Sequence, residues 1–339
     1  MTFTENLNTI ISGQNLDEER SASMLMDIFS GDITEAQIGA FMAALATKGE
    51  TFEELAGAAR AMRRKATRVQ TLSKKVIDTC GTGGDSSGSF NISTTTAFVV
   101  AGAGVTVAKH GNRSISSKCG SADVLEELGI NLAVDPEIVE EAINEIGIGF
   151  MFAPLYHGSM KYAMKARTEC GIRSIFNMLG PLTNPAAASC QLLGVFAPEL
   201  TEMFAQALKL LGVKKAFVVH GHDGMDEITT TDLTRVTEMD QDSIRSYDLD
   251  PLDFFADYAS PKDLKGGDVK ENAAITLAIL KGEKGPKRDI VLLNAGAGLV
   301  AAEMADTVKA GIALAEEAVD SGRALEKLTA LAEYTQENG

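Results

Sequence analysis

Between residues 76 and 108 the chain changes its hydrophobic period twice, and that constrains the fold more than any other feature. Val76-Ile77 is a short apolar run. The segment Gly81 to Gly88 is a glycine-rich loop. Ala97, Val100 and Ala101 then recur at helical spacing up to Gly102, and Val105-Thr106-Val107-Ala108 is a second apolar run. Strand, glycine loop, helix and strand in that order form a βαβ unit, whose two strands lie parallel. A further buried strand, Ala216 to Val219, ends at His220-Gly221. The expected fold class is α/β, with a mostly parallel central sheet.

The first 70 residues carry only the helical period. Leu7, Ile10 and Ile11 open it and Gly13 stops it. Thr34 with Gln37 forms a capping box before Ile38, Phe41, Met42 and Leu45. Thr51 with Glu54 forms another before Leu55, Ala58, Ala59 and Met62. Helical spacing returns from Asn272, with two more helices over Val308 to Leu331 and a frayed tail from Thr335. Lys161 to Ala187 is rich in helix formers and could rejoin the helical part. The expected division is a small N-terminal helical domain, residues 1–70 with about 160–187, and a large α/β domain over 71–159 and 188–339.

The net charge of −16 argues against nucleic-acid binding, which needs a basic face. Cys80, Cys119, Cys170 and Cys190 show no CxxC spacing and read as reduced thiols of a cytoplasmic protein. The start, MTFTENLNTI, lacks a basic and apolar leader, and no apolar run approaches the ~20 residues of a membrane span.

Four segments carry chemistry. D-T-C-G-T-G-G-D (Asp78 to Asp85) follows a strand and can present backbone N–H groups to an anion, or can be a plain surface turn. It fits neither the P-loop nor the dinucleotide fingerprint. N-I-S-T (Asn91 to Thr94) sits where a helix begins, so free amides, hydroxyls and the helix dipole converge there. Asn91 or Ser93 could also simply cap that helix. K-H-G-N-R-S-I-S-S-K (Lys109 to Lys118) sets Lys109, Arg113 and Lys118 among Asn112, Ser114, Ser116 and Ser117 without an acid. It reads as a polyphosphate loop or a solvated basic one. Asp226-Glu227 follows a buried strand. Adjacent carboxylates usually mark a wet turn, but beside a pyrophosphate they suit Mg²⁺, a hard ion held by one or two carboxylates.

Together these strings resemble the anthranilate phosphoribosyltransferase family, as do F-N-I-S-T, K-C-G-S-A-D-V-L-E, G-I-R-S-I-F-N-M-L-G-P-L-T-N-P and D-E-I-T. They occur in the family's order, and the resemblance runs essentially from end to end. It implies a nucleoside-phosphorylase-like fold, a homodimer built through the helical domain, Mg²⁺, and transfer of phosphoribose from phosphoribosyl pyrophosphate (PRPP) to anthranilate, a step of tryptophan biosynthesis. Carried over by position, Gly81, Gly84, Asp85, Ser89, Asn91, Ile92, Ser93 and Thr94 would hold PRPP. So would Lys109, His110, Gly111, Asn112, Arg113, Ser114, Ile115, Ser116, Ser117 and Ser121. Gly81, Asn112 and Arg167 would meet anthranilate, and Ser93, Asp226 and Glu227 would ligate Mg²⁺. His110 is the only histidine inside a motif and reads as a positioning residue. The chain departs from the family pattern at Leu155 and at Gly158-Ser159, while His157 is kept.

Two other readings compete: a pyrimidine-nucleoside phosphorylase, which is similar in fold but uses free phosphate and needs no acidic pair, and a non-catalytic relative that binds nucleic acid. The acidic balance and the intact PRPP strings weigh against the second.

Overall fold

The computed structural model describes residues 1–85, 87–114, 119–241 and 243–339. Four helices come first: α1 (Phe3–Ile11), α2 (Glu18–Ser30), α3 (Glu35–Lys48) and α4 (Phe52–Lys65). Both expected capping boxes form, at Thr34/Gln37 and Thr51/Glu54. Glu54 does more than cap. It is fully buried, accepts from Thr51 N and Leu16 N (both 2.9 Å), and pairs with Lys48 Nζ at 2.9 Å. Its desolvation is thus offset by three donors. Gly57 lets α4 cross α2 closely, since a Cβ there would lie 2.2 Å from the Glu18 carbonyl oxygen.

The α/β part runs β1 (Val76–Gly81), α5 (Ile92–Gly102), β2 (Thr106–Gly111), α6 (Ser121–Glu127), α7 (Pro136–Glu145), β3 (Ile148–Phe152) and the single turn α8 (Ala153–Tyr156). Next come α9 (Lys161–Cys170), α10 (Ile175–Met178), β4 (Cys190–Gly194), α11 (Leu200–Leu210), β5 (Lys215–Gly221), β6 (Thr234–Asp240) and β7 (Ser243–Leu249). Four helices close the chain: α12 (Val269–Leu280), α13 (Pro286–Ala301), α14 (Val308–Asp320) and α15 (Arg323–Glu337). The seven strands form one sheet in the order β3-β2-β1-β4-β5-β6-β7. The first five are parallel, and β6 and β7 extend the edge as an antiparallel hairpin.

α5 is buried on nearly every side, packed on β1 and under α13, α14 and α15. Its apolar half, Ala97 to Gly102, and three buried threonines, Thr94 to Thr96, leave it without a charged face to turn to water. α9 packs against α2 and α3, and Ala163, Ala166, Phe176 and Met178 share one core with Phe41, Met42 and Leu45. Two arginines of α4 reach across to the C-terminus of α11: Arg60 donates to Leu210 O (2.9 Å) and Arg63 to Leu211 O (3.3 Å). Arg63 Nε also donates to Leu182 O (2.6 Å). These bonds satisfy final helix carbonyls that lack intrahelical donors. Among the described residues no helix is long and apolar enough to cross a membrane.

Three expectations need correction. β1 and β2 run further than read, through Gly81 and Gly111, so Asp78-Thr79-Cys80 and Lys109-His110 are strand residues rather than loop. Asn91 stands at the N-cap of α5 but makes no side-chain cap, and Ser93 lies inside the first turn. The tail from Thr335 is not frayed. α15 continues to Glu337, and the buried Thr335 hydroxyl accepts Asn131 N at 3.0 Å.

Candidate active site

The carboxyl ends of β1, β2, β4 and β5 carry the site, the place where open parallel sheets bind ligands. Each of these strands ends on glycine: Gly81, Gly111, Gly194 and Gly221. The reason is close approach. A Cβ on Gly194 would sit 1.6 Å from the Asp226 carbonyl oxygen, and one on Gly81 would sit 2.4 Å from Asp226 Oδ2. The acidic pair is therefore pressed onto bare backbone.

Asp226 and Glu227 are not on a wet turn; both are partly buried. Asp226 Oδ2 accepts Gly83 N at 2.8 Å, which pins the glycine loop. Glu227 Oε1 accepts Ser93 N at 3.1 Å, at the first turn of α5. Burial, and then the Asp85 charge, raise the Asp226 carboxyl above its ordinary range. Burial and then Asp226 push Glu227 well above its ordinary range too. With Asp85 beside this raised pair, the negative cluster wants a cation. Among the described residues no three His, Cys, Asp or Glu side chains form a closed metal cage. An open oxygen set fits Mg²⁺, which keeps water and substrate oxygens in its shell.

A buried cation, Lys109, acts on Glu227; it is only 4% exposed, and its ammonium donates to Thr79 O. Burial lowers its pKa, opposed first by the neighbouring Asp78 carboxylate. Asp78 is fully buried and raised to about 6 by desolvation. It accepts His110 N (3.2 Å) and Asn184 Nδ2 (2.7 Å), and Asn184 Nδ2 also donates to Ala108 O (2.8 Å). Asn184, from the asparagine-proline string, thus ties β1 to β2 beneath the site.

His110 and His157 are buried together and held neutral by desolvation, at about 3 and about 4. His110 Nδ1 lies 3.2 Å from Gly180 O, and the two Nε2 atoms are 3.1 Å apart. A carbonyl only accepts, so His110 carries its proton on Nδ1 and accepts at Nε2 from His157. His157 Nδ1 is then an acceptor, with no partner among the described residues.

The remaining expected residues divide. Asp85, Ser89 and Asn91 line the same loop: Asp85 Oδ1 accepts Ser87 N (3.3 Å), and the Ser87 and Ser89 hydroxyls bond at 3.1 Å. The Gly84 carbonyl accepts from Arg173 (3.3 Å). Ile92 and Thr94 are buried in the first turn of α5. Gly111 packs on Ser121, whose hydroxyl donates to Asn112 O at 3.2 Å. Ser114 N donates to Asp123 Oδ2 at 3.3 Å. Arg113 departs from the reading of an acid-free loop, because its guanidinium pairs with Asp123 (2.8 Å) and Glu126 (2.9 Å) of α6. Ile115, Ser116, Ser117 and Lys118 lie outside the described residues. Arg167 on α9 is half-buried, with its guanidinium 5.5 Å from the centre of the Phe176 ring. No hydrogen bond or ion pair joins it to Gly81 or Asn112 among the described residues.

Arg173 was missed in the sequence. Besides its bond to Gly84, it stacks 3.9 Å over the Phe196 ring, while Phe196 N donates to Thr82 Oγ1 at 3.1 Å. It links the α9–α10 connection to the first half of the glycine loop, at Gly84 directly and at Thr82 through Phe196.

Residues 4–66 match the helical bundle domain of a glycosyl transferase family, and residues 73–325 match its a/b domain. The anthranilate phosphoribosyltransferase of Desulfosudis oleivorans is 64% identical over 99% of this chain and 100% of its own length. The crystal structure of the Thermus thermophilus enzyme has a TM-score of 0.93 at 42% identity, covering 97% of this chain and 99% of that one. The Saccharomyces cerevisiae enzyme, solved with PRPP and Mg, has a TM-score of 0.89 at 27% identity, covering 99% and 98%. It has also been solved with 4-fluoroanthranilate. Family models covering both parts, full-length identity at this level, and a site of glycine loop, helix start and acidic pair agree: the chain belongs to the anthranilate phosphoribosyltransferase family.

Proposed function

We propose that this chain transfers the phosphoribosyl group of PRPP to the amine of anthranilate, giving N-(5-phosphoribosyl)anthranilate and pyrophosphate. The observation that carries the reading is the acidic pair bonded at once to the glycine loop, through Gly83, and to the start of α5, through Ser93. One cluster thereby organises both anion-binding backbones.

The donor lies along the glycine loop, the first turn of α5 and the segment from Lys109 to Ser117, with Ser121 at its far side. N–H groups and the positive end of α5 neutralise phosphate oxygens. Ser93, Asp226 and Glu227 would hold Mg²⁺, which supplies charge neutralisation of the departing pyrophosphate. The anthranilate amine is neutral at pH 7. Its nitrogen attacks C1, the C1–oxygen bond breaks with its electron pair going to pyrophosphate, and the nitrogen then sheds a proton. No strong base is required, which agrees with His110 and His157 being neutral and bonded to each other. His110 positions the end of β2. Catalysis rests on holding the amine in line and on electrostatic stabilisation of the leaving charge.

Gly81, Asn112 and Arg167 receive anthranilate. Burial lowers the pKa of Arg167, and no carboxylate pairs with it among the described residues. A half-buried guanidinium of this kind suits a ligand carboxylate. Arg167→Ala is expected to raise the KM for anthranilate about tenfold or more and to leave the PRPP constant within about twofold. Steady-state kinetics with each substrate varied in turn check this. Equal rises in both constants would mean that Arg167 shapes the whole cleft.

The helical unit is residues 1–70 with about 160–187, and it pairs two copies into a homodimer that works in the cytoplasm. Exposed Leu155, Tyr162, Met164 and Ile172 lie along or beside α9 and give such a pairing apolar surface. Light scattering reads the mass. Anthranilate fluorescence followed with PRPP and Mg²⁺ tests the activity, and thymidine with phosphate is the control for a phosphorylase. Fluorescence that persists overturns the proposal.

A further inference from the structure

A lysine far from every motif stands at the edge of the donor loop. Residues 264–267 form a strap that lies antiparallel to residues 88–90. Phe90 N donates to Leu264 O (3.3 Å), Gly266 N donates to Gly88 O (3.0 Å), and Ser89 faces Lys265 in an isolated bridge. The strap is held from behind by Asn272, only 2% exposed, near the start of α12. Its Oδ1 accepts Gly267 N (2.8 Å), and its Nδ2 donates to Asn91 Oδ1 (3.0 Å). One turn on, the hydroxyls of Thr276 and Thr95 bond at 2.9 Å. The strap and the start of α5 are therefore one braced unit. Glycine is demanded at 266, where a Cβ would sit 2.8 Å from the Phe90 backbone.

The brace fixes where the Lys265 side chain goes. Its ammonium donates to Ser87 O, and a Cβ on Gly88 would lie 3.5 Å from it. Ser87 in turn bonds the Ser89 hydroxyl at 3.1 Å. Lys265 is exposed, and no carboxylate pairs with it among the described residues. In a chain of net charge −16, a lysine held over two loop serines without an acid partner is well placed for an anion. An ammonium has three donors, and one bond to Ser87 leaves two for a ligand.

We propose that Lys265 is a further donor-binding residue, contributing a positive charge to a phosphate of PRPP from the outer wall of the glycine loop. This rests on the phosphoribosyltransferase reading above. It also extends the donor site to a segment about 180 residues away in sequence, which none of the anion motifs includes.

Calorimetry with PRPP and Mg²⁺ on the full chain tests it with two variants. Lys265→Gln is neutral, yet its amide can still donate to Ser87. Lys265→Arg keeps the charge. The expected result is PRPP binding weakened roughly three- to tenfold in Lys265→Gln and changed by no more than about twofold in Lys265→Arg, with both melting temperatures as in the wild type. The salt dependence of binding should be shallower in the Gln variant, since one charged contact is gone. Wild-type affinity in Lys265→Gln overturns the proposal. So does an Arg variant as weak as the Gln one, which would assign the role to strap shape rather than charge. A wild-type chain that fails to bind PRPP at all sinks the underlying functional reading, an outcome visible before either variant is made.

Discussion

Changing Asp226 to Asn and Glu227 to Gln together should lower kcat by ~10²–10³-fold and shift the Mg²⁺ titration to higher concentration, with the melting temperature unchanged or raised. The first part follows from the charge these groups would organise at the leaving pyrophosphate. Several kcal/mol of transition-state stabilisation come from such a centre, and each 1.36 kcal/mol is a factor of ten. The second part follows from the fold. Asp226 and Glu227 lie beside Asp85; burial raises both carboxyls, helped by the Asp85 charge at Asp226 and by the Asp226 charge at Glu227. Neutral amides relieve that repulsion and keep the shape. Stability and activity should therefore move apart, as they do where a site holds strain for function. Kinetics across a magnesium series, paired with calorimetric melting, reads both. A double variant whose magnesium titration matches the wild type would remove the pair from the metal site.

Lys109→Met is the other large expectation, and it acts on two properties. PRPP binding should weaken tenfold or more, because charge-assisted bonds contribute ~1.5–3 kcal/mol each. Stability should fall as well. The ammonium caps the Thr79 carbonyl and stands among Asp78, Cys80 and Glu227 inside the sheet. Removing it orphans a buried carbonyl and leaves Asp78 without its compensating charge, at a cost of about 1–3 kcal/mol. Asp78→Asn in the same chain should recover most of the melting temperature but none of the PRPP affinity, which separates the two effects. Full recovery of affinity in the double variant would show that Lys109 is a structural counter-ion only. Arg113 is expected to matter less. Its guanidinium is already committed to Asp123 and Glu126, so a phosphate must compete with two acids for it.

The helical start was readable because capping chemistry is local: Thr34 with Gln37 and Thr51 with Glu54 announce helices within four residues. Strand ends were not. Val76-Ile77 and Val105 to Ala108 were read as whole strands because Asp78, Thr79, Lys109 and His110 are polar. In the fold those residues stay in register by satisfying one another across β1 and β2. The hairpin β6–β7 gave no signal either. Glu238 is buried in it only because Arg245 (2.7 Å) and Tyr247 (3.2 Å) reach it from the neighbouring strand. The site shows the same division. Glycines, a helix start and adjacent carboxylates can be seen in short windows. Arg173, Asn272 and Lys265 acquire meaning from partners 89 to 181 residues distant, which no spacing rule connects.

The glycines that close the parallel strands change where this enzyme is vulnerable. Position 194 offers no side chain that could touch a substrate, and its removal from any inventory of reactive groups would pass unnoticed. Yet a single methyl there would occupy space already filled by the Asp226 carbonyl. A damaging substitution at that point would delete nothing and would still misplace the acidic pair. Part of what this sequence encodes about catalysis is therefore written as empty volume, and a screen that scores only lost functional groups will misjudge these positions.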